Sequence, residues 1–441
     1  MKGIVISGTG SGSGKTSIAT GLMSVLSKKM RVQPYKVGPD FIDPMYHGLA
    51  TGRPGRNLDT FMTSKETVKN IVGCTSKDAD LCIVEGVRGL YEGQSGIDDA
   101  GSTAEIAKIL GFPVILVVDT RSITRSAAAI INGFKSFDRD VDIKGVILNN
   151  VSGPQHEGKL RDAIERHCDV DIIGVVRKRR ERLKERHLGL NTVNADSMET
   201  IERLADLVSN LDTDRIMDVC ESTDSDLPDD PLYTEHEYSM KAAVPMDDAY
   251  CFYYRDNLDC MRAAGIEVET FSPLNGDHLP DADMYYLGGG YPELYCAKLS
   301  ENRDFLDGLR NASDEGKPII GECGGLMSLC SSIEDMDGVK HPMAGIIDGD
   351  AVMSGRHGPT YNIADATSDN PIFRGTVKGH SFHYSEIKLR KEYPMGFSMI
   401  RGGGVTDTQD GIVVRNTIGS YTHQHALSCK DWLGGLQDRT V

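Results

Sequence analysis

The chain has 441 residues, 39% of them hydrophobic, and a formal charge of −17 from 48 basic and 65 acidic side chains. That length exceeds one comfortable core and implies two or three domains. The acidic balance argues against a nucleic-acid partner, and no continuous apolar run reaches the length of a membrane span.

The opening MKGIVISG reads as a buried strand rather than a secretory leader, which leads to the expectation of a cytoplasmic protein. Its apolar run at 3–7 meets a glycine cluster, after which Ile18, Leu22, Val25 and Leu26 mark one helical face. Strand-like runs recur at 81–85, 113–119, 145–149 and 172–176, with helical segments between them. This alternation predicts an α/β unit whose parallel sheet is covered on both faces. The stretch 221–237 is acidic and turn-rich, and suggests three parts: an ATP-binding domain at 1–218, a linker at 219–238 and a second α/β domain at 239–441. In that second domain strands are expected at 241–244, 266–271, 284–289 and near 317–325, with a strand pair at 411–421.

The sharpest local signal is GTGSGSGKT, residues 8–16, between a strand and a helix. A standard Walker A has Gly, four residues, then Gly-Lys-Ser/Thr; here that first position is Thr9, and Gly8 leaves five intervening residues. The physical requirements survive: Gly8, Gly10, Gly12, Ser13 and Gly14 let backbone N–H groups surround phosphate. Lys15 reaches the terminal phosphates and Thr16 offers a hydroxyl to Mg²⁺, so ATP and Mg²⁺ are the expected cofactors. In KVGPDFIDPMYH, residues 36–47, Asp40 and Asp43 follow a Gly-Pro turn and face a metal or an attacking carboxylate, while Lys36 neutralises an anionic substrate. Glu85 closes a strand at the edge where open α/β sheets bind ligands, which makes it a metal candidate beside Thr16 and Asp40. Arg88 is a candidate substrate contact and Asn149, also at a strand end, a candidate adenine contact.

The ten cysteines include no CxxC pair, and nine fit buried thiols of a reducing compartment. Cys323 differs. In GECGG, residues 321–325, it follows a strand and precedes a helix, with glycines that relieve the crowding of a nucleophile elbow. The helix N-terminus favours its thiolate. His423, His425 and His383 are each candidate bases, and position alone does not choose among them. Gly288, Gly289 and Gly290 supply backbone N–H groups suited to an oxyanion hole. Together these parts suit amide hydrolysis through a thioester.

The motifs KVGPDFIDPMYH, RNLD, EGVRGLYEG, GSTAEIAK, FYYRDNL, YLGGGYPE, ECGGLM, GHSFHYS and SYTHQH, taken in order, resemble the cobyrinate a,c-diamide synthase family, including its Ni-sirohydrochlorin branch in methanogens. The P-loop also looks like that of dethiobiotin synthetase. The resemblance implies a P-loop synthetase domain that phosphorylates an acetate side chain of a tetrapyrrole, and a class I glutamine amidotransferase domain that supplies ammonia from L-glutamine. By the same resemblance Thr16, Asp40 and Glu85 hold Mg²⁺, and His423 is preferred as base. Many class I amidotransferases carry a Glu two residues after that histidine, where this chain has His425, so the third member of the site is unassigned. A second departure is Val176-Arg-Lys178, where relatives have PRD, although Arg186 to Leu190 keeps the family pattern. A homodimer and a closed ammonia path are further expectations. GVRGLYEG inclines the substrate toward Ni-sirohydrochlorin, with cobyrinate as the alternative. A partner-switching P-loop ATPase is the competing class, and cobyric acid synthase a competing relative.

Overall fold

The computed structural model describes residues 1–178, 196–221, 227–233, 235 and 237–439. The RHLGL motif at 186–190 and part of the acidic 219–238 stretch lie outside the described residues. The chain divides into two compact units, Met1–Leu232 and Tyr233–Val441.

In the first unit seven strands form one sheet: β1 (Gly3–Gly8), β2 (Val32–Val37), β3 (Arg56–Leu58), β4 (Leu81–Glu85), β5 (Val114–Asp119), β6 (Ile143–Val151) and β7 (Asp171–Arg177). Their order is β3-β2-β4-β1-β5-β6-β7, and every pairing is parallel. Every residue of β1 and β4 is buried, as expected of strands covered on both faces. Ile4, Ile6, Ile83, Ile115, Val117 and Ile147 form the core beneath Ile18, Leu22 and Leu26 of helix α1 (Lys15–Ser27). Gly21 lets this helix approach a neighbour closely, since a Cβ there would stand 2.3 Å from the Leu204 carbonyl oxygen. No strand is legible at β2, whose sequence VQPYKV mixes polar residues into a fully buried segment. The polar groups are tolerated because they are partnered: Gln33 donates to the Pro54 carbonyl at 2.9 Å and accepts from Arg53 at 2.9 Å.

Residues near 227–230, expected within a linker, pack on the first unit. The Cys74 thiol donates to the Asp230 carbonyl at 3.1 Å, and Lys77 pairs with Asp229 at 2.9 Å. Among the described residues no helix is long and apolar enough to cross a membrane.

The second unit holds β8 (Met240–Pro245), β9 (Ile266–Phe271), β10 (Met284–Leu287), β11 (Ile319–Glu322), β12 (Cys330–Glu334), β13 (Lys340–Pro342), β14 (Ile347–Ala366), β15 (Thr376–Leu389), β16 (Met395–Arg401), β17 (Gln409–Val414), β18 (Thr417–Ser420) and β19 (His423–Gln424). Strands β18-β11-β10-β8-β9 run parallel to one another, and β17 joins β18 in an antiparallel hairpin. The 20-residue β14 and its antiparallel partner β15 are not legible in the sequence, because Gly355, Gly358 and Pro359 break the alternation. The ladder absorbs them through register shifts between Met353 and Thr360.

Candidate active site

The first cluster forms where β1 turns into α1. Gly12 and Gly14 have φ of 74° and 92°, a left-handed backbone that favours glycine. Gly14 is also enforced by packing, since a Cβ would stand 2.2 Å from Asn149 Nδ2, and one on Gly8 would stand 2.0 Å from Ser13 Oγ. Gly10 has open space around it. Asn149 donates to the Ser13 carbonyl at 2.8 Å and accepts from the Asn150 N–H at 2.8 Å. Its amide is therefore a clamp on the phosphate-binding loop, with one N–H beyond these two bonds for the adenine contact expected of it.

Lys15 is buried, and burial together with neighbouring Lys36 lowers its pKa against the pull of Glu85 and Asp43. Lys36 projects from β2 and pairs with Asp43 at 2.6 Å and with Glu85 at 2.8 Å. Burial opposes its charge, but Asp43, Glu85 and Asp40 outweigh burial and hold its pKa above the ordinary lysine value. Burial and adjacent Glu85 push the Asp43 carboxyl up, with Lys36 pulling against them. Glu85, which registers opposite Lys36 across β4 and β2, resists its own burial through Lys36 and His47 and stays well below the usual carboxylate range. His47 Nε2 lies 2.7 Å from Glu85 Oε2, with both side chains fully buried.

The Thr16 hydroxyl donates to Glu85 Oε1 at 2.5 Å. These two hard oxygen donors at a P-loop fit a single Mg²⁺. Asp40 contributes charge to the same neighbourhood, yet its carboxylate accepts from the Ile42 and Asp43 N–H groups and caps helix α2 (Ile42–Thr51). Arg88 is exposed, with a left-handed φ of 49°. His47 was not singled out from the sequence, although it lies in the same motif as Lys36 and Asp43, one helical turn beyond Asp43.

The second cluster sits at the C-terminal ends of three neighbouring parallel strands. Leu287 pairs with Gly321 and Glu322 with Ser420, so β10, β11 and β18 end together. The chain leaving β10 carries Gly288–Gly290, that leaving β11 carries Cys323, and that leaving β18 carries His423. Cys323 has φ 50° and ψ −98° at the start of the helix Gly324–Leu329, and its N–H donates to the Ser420 carbonyl at 2.7 Å. This is the strained turn of a nucleophile elbow. Its glycines are steric necessities: a Cβ on Gly325 would stand 2.1 Å from the Leu287 carbonyl oxygen, and one on Gly324 2.8 Å from Pro292 Cδ.

His423 is buried against Gly289, where a Cβ would stand 2.3 Å from the imidazole Cε1. The His380 ring stacks on it at 5.1 Å and in turn meets the Tyr254 hydroxyl at 2.8 Å through Nδ1. The sequence offered a signal for His380 only in its place within GHSFHYS; its opposition to His423 across β15 and β19 is a matter of register. His425 turns elsewhere, its Nδ1 accepting from the Leu427 N–H at 3.3 Å and its Nε2 standing 3.7 Å from Asp256. His383 stacks on Tyr421 at 3.7 Å, and its Nδ1 lies 2.7 Å from the Ser385 carbonyl. The Gly288 N–H, expected as an oxyanion donor, donates to the Tyr253 hydroxyl at 2.9 Å, and Gly289 bridges to Phe252.

Burial and then Glu293 push the Cys323 thiol up, while burial, His380 and His383 push His423 well below its ordinary value. Both shifts disfavour the charged forms, a thiolate on Cys323 and an imidazolium on His423. Glu322, beside Cys323, is pushed up to about 8 by burial.

Residues 4–190 match the family model for the CobQ/CobB/MinD/ParA nucleotide binding domain, and residues 241–430 match that for the CobB/CobQ-like glutamine amidotransferase domain. Among similar proteins, the cobyrinate a,c-diamide synthase of Methanosphaera stadtmanae is 41% identical over 450 residues, covering 98% of this chain and 97% of that protein. Proteins of the same name from Methanococcus maripaludis and Methanocaldococcus jannaschii are each 43% identical, covering 97% of this chain and 97% of their own.

Proposed function

The chain belongs to the cobyrinate a,c-diamide synthase family, and we propose that it uses ATP and L-glutamine to convert the a and c acetate groups of a tetrapyrrole into carboxamides. The observation that carries this reading is that the adjacent parallel strands β11 and β18 end together and lead into a strained Cys323 and into His423, in a chain that also holds a glycine-rich loop ahead of Lys15 and Thr16.

In the second unit the Cys323 S–H proton passes to His423 as sulfur attacks the glutamine amide carbon. Gly289 and Gly290 offer N–H groups to the developing oxyanion. Collapse breaks the C–N bond, and ammonia leaves with the proton that His423 held. Water then cleaves the thioester to glutamate and restores the thiol. In the first unit the backbone of residues 8–16 cradles the phosphates of ATP and Lys15 neutralises their growing charge. Lys36 sits where it can draw the acetate carboxylate into line, once substrate competes for it with Asp43 and Glu85. An acetate oxygen attacks the γ-phosphorus and ADP leaves; ammonia then attacks the acyl carbon, and phosphate leaves. Thr16 and Glu85 would hold Mg²⁺, which supplies charge neutralisation at the phosphates. Arg88 is exposed and suited to a carboxylate of the macrocycle.

The names of the relatives favour cobyrinate as the macrocycle. Their methanogen sources favour the second reading, Ni-sirohydrochlorin, toward which the GVRGLYEG segment also inclines. Mass spectrometry of parallel reactions with each macrocycle, ATP, Mg²⁺ and glutamine decides between them. Double amidation of cobyrinate alone supports the first reading and of the nickel compound alone the second. ATP turnover with neither macrocycle amidated and no glutamate released would instead support a switch ATPase.

A further inference from the structure

We propose that Glu322, the residue immediately before the nucleophile, is the carboxylate that orients His423, a positioning role that rests on the glutaminase reading above. His423 Nδ1 stands 3.9 Å from Glu322 Oε2, with both side chains almost wholly buried. Separations of this kind tighten to hydrogen bonds when a site engages its substrate. The place two residues beyond His423 is held by His425, whose ring is engaged with Leu427 and Asp256.

Glu322 is itself fixed on two sides. Its Oε1 accepts from the Gln424 N–H at 3.2 Å, which ties it to the residue next to His423, and its Oε2 accepts from the Tyr286 hydroxyl at 3.0 Å. Tyr286 is held in turn by Asn257, whose amide donates to it at 3.2 Å and to the Gln424 carbonyl at 2.8 Å. Glu322, Tyr286, Asn257 and the Gln424 backbone therefore share one network spanning β10, β11 and β19, and Glu322 carries it to within 3.9 Å of His423. Among the described residues, the other titratable groups facing it include His380 and His383 from β15, around His423, Asp410 from β17, toward Glu322, and Tyr253 against Tyr286.

In this role Nδ1 of His423 carries the proton donated to Glu322, and Nε2 is the nitrogen that exchanges a proton with Cys323. When the S–H bond breaks and an N–H bond forms, the imidazolium gains a buried anion beside it, and Glu322 itself neither gains nor loses a proton. Burial raises the Glu322 pKa to about 8, so the ionised form this role requires is completed on the alkaline side of neutrality.

The test is hydrolysis of L-glutamine by the full chain from about pH 6 to about pH 9.5, comparing the parent with Glu322→Gln, Glu322→Asp and Cys323→Ala. A cooperative urea unfolding curve and the parent's circular dichroism report that each variant is folded, and ammonia-supported amidation reports that its first unit works. The expected result is a loss of about 100-fold or more in kcat/KM for Glu322→Gln, carried by kcat, with the parent's rise through about pH 8 abolished. Glu322→Asp recovers part of the rate and keeps an ionisation-dependent limb. A Glu322→Gln variant within about threefold of the parent, or one with an unchanged pH profile, overturns the proposal. Glutaminase activity surviving in Cys323→Ala would overturn the site reading itself, and Glu322's role with it.

Discussion

Adding one methyl group at Gly289 should disable glutamine use without touching a polar atom. A Cβ at this position would stand 2.3 Å from His423 Cε1. Relaxed carbon contacts begin near 3.5 Å, so the ring must yield by about 1.2 Å or the loop must retreat. The loop is not free to retreat, because the Gly289 carbonyl accepts from both the Cys251 and Phe252 N–H groups at 3.0 and 2.9 Å. The ring is confined too, by the stacked His380. A displacement near 1 Å at a catalytic base costs about 100-fold in rate, or about 2.7 kcal/mol of barrier. Gly289→Ala keeps the backbone N–H, and the residue's φ lies outside the left-handed set, so the effect isolates sterics from oxyanion donation. Glutamate release should fall by about that factor, while amidation driven by added ammonia persists. Glutamate release within about threefold of the parent would refute the packing argument.

Three further outcomes follow from the same geometry. Lys15→Ala should lower amidation by at least about 100-fold with glutamine or ammonia alike, while glutamate release survives; product analysis with each nitrogen source checks it. Lys36→Met leaves Asp43 and Glu85 facing each other without their cation, and should destabilise the first unit by about 3–5 kcal/mol, read as a lowered midpoint in urea. The Glu322 carboxyl, raised from an ordinary 4.5 to about 8, binds its proton more tightly when folded. The stability it contributes is complete below about pH 4.5 and is lost as pH rises through about 8, at up to about 1.4 kcal/mol per pH unit. Glu322→Gln removes that slope, so urea midpoints of variant and parent should diverge in the variant's favour between those limits.

The parts of the fold that announce themselves in the sequence are those whose burial needs no partners. Strands β1, β4 and β5 are continuous apolar runs, and the elbow at Cys323 shows through its glycines. β2 stayed hidden because Lys36 and Gln33 are buried only by virtue of residues distant in sequence, Glu85 and Arg53 among them. The same applies to the site. Cys323, Lys15 and Thr16 stand in local motifs, whereas His47, His380 and Glu322 gain their places through register and strand order. His425 shares the motif of His423 and His383 that of His380, yet both face structural partners, a difference that composition does not encode. Asn149 likewise lies at a ligand-binding strand end yet spends its amide on the loop backbone.

The proposed function requires that the amide nitrogen of glutamine pass onto a tetrapyrrole through Cys323. The direct measurement is mass spectrometry of the macrocycle after reaction with ATP and isotopically labelled amide-glutamine, for the parent and for Cys323→Ala. Label is expected in both new carboxamides with the parent, none with Cys323→Ala, and unlabelled diamide from Cys323→Ala when unlabelled ammonia is added. Labelled product formed by Cys323→Ala, or no amidation of either macrocycle by the parent, would contradict it.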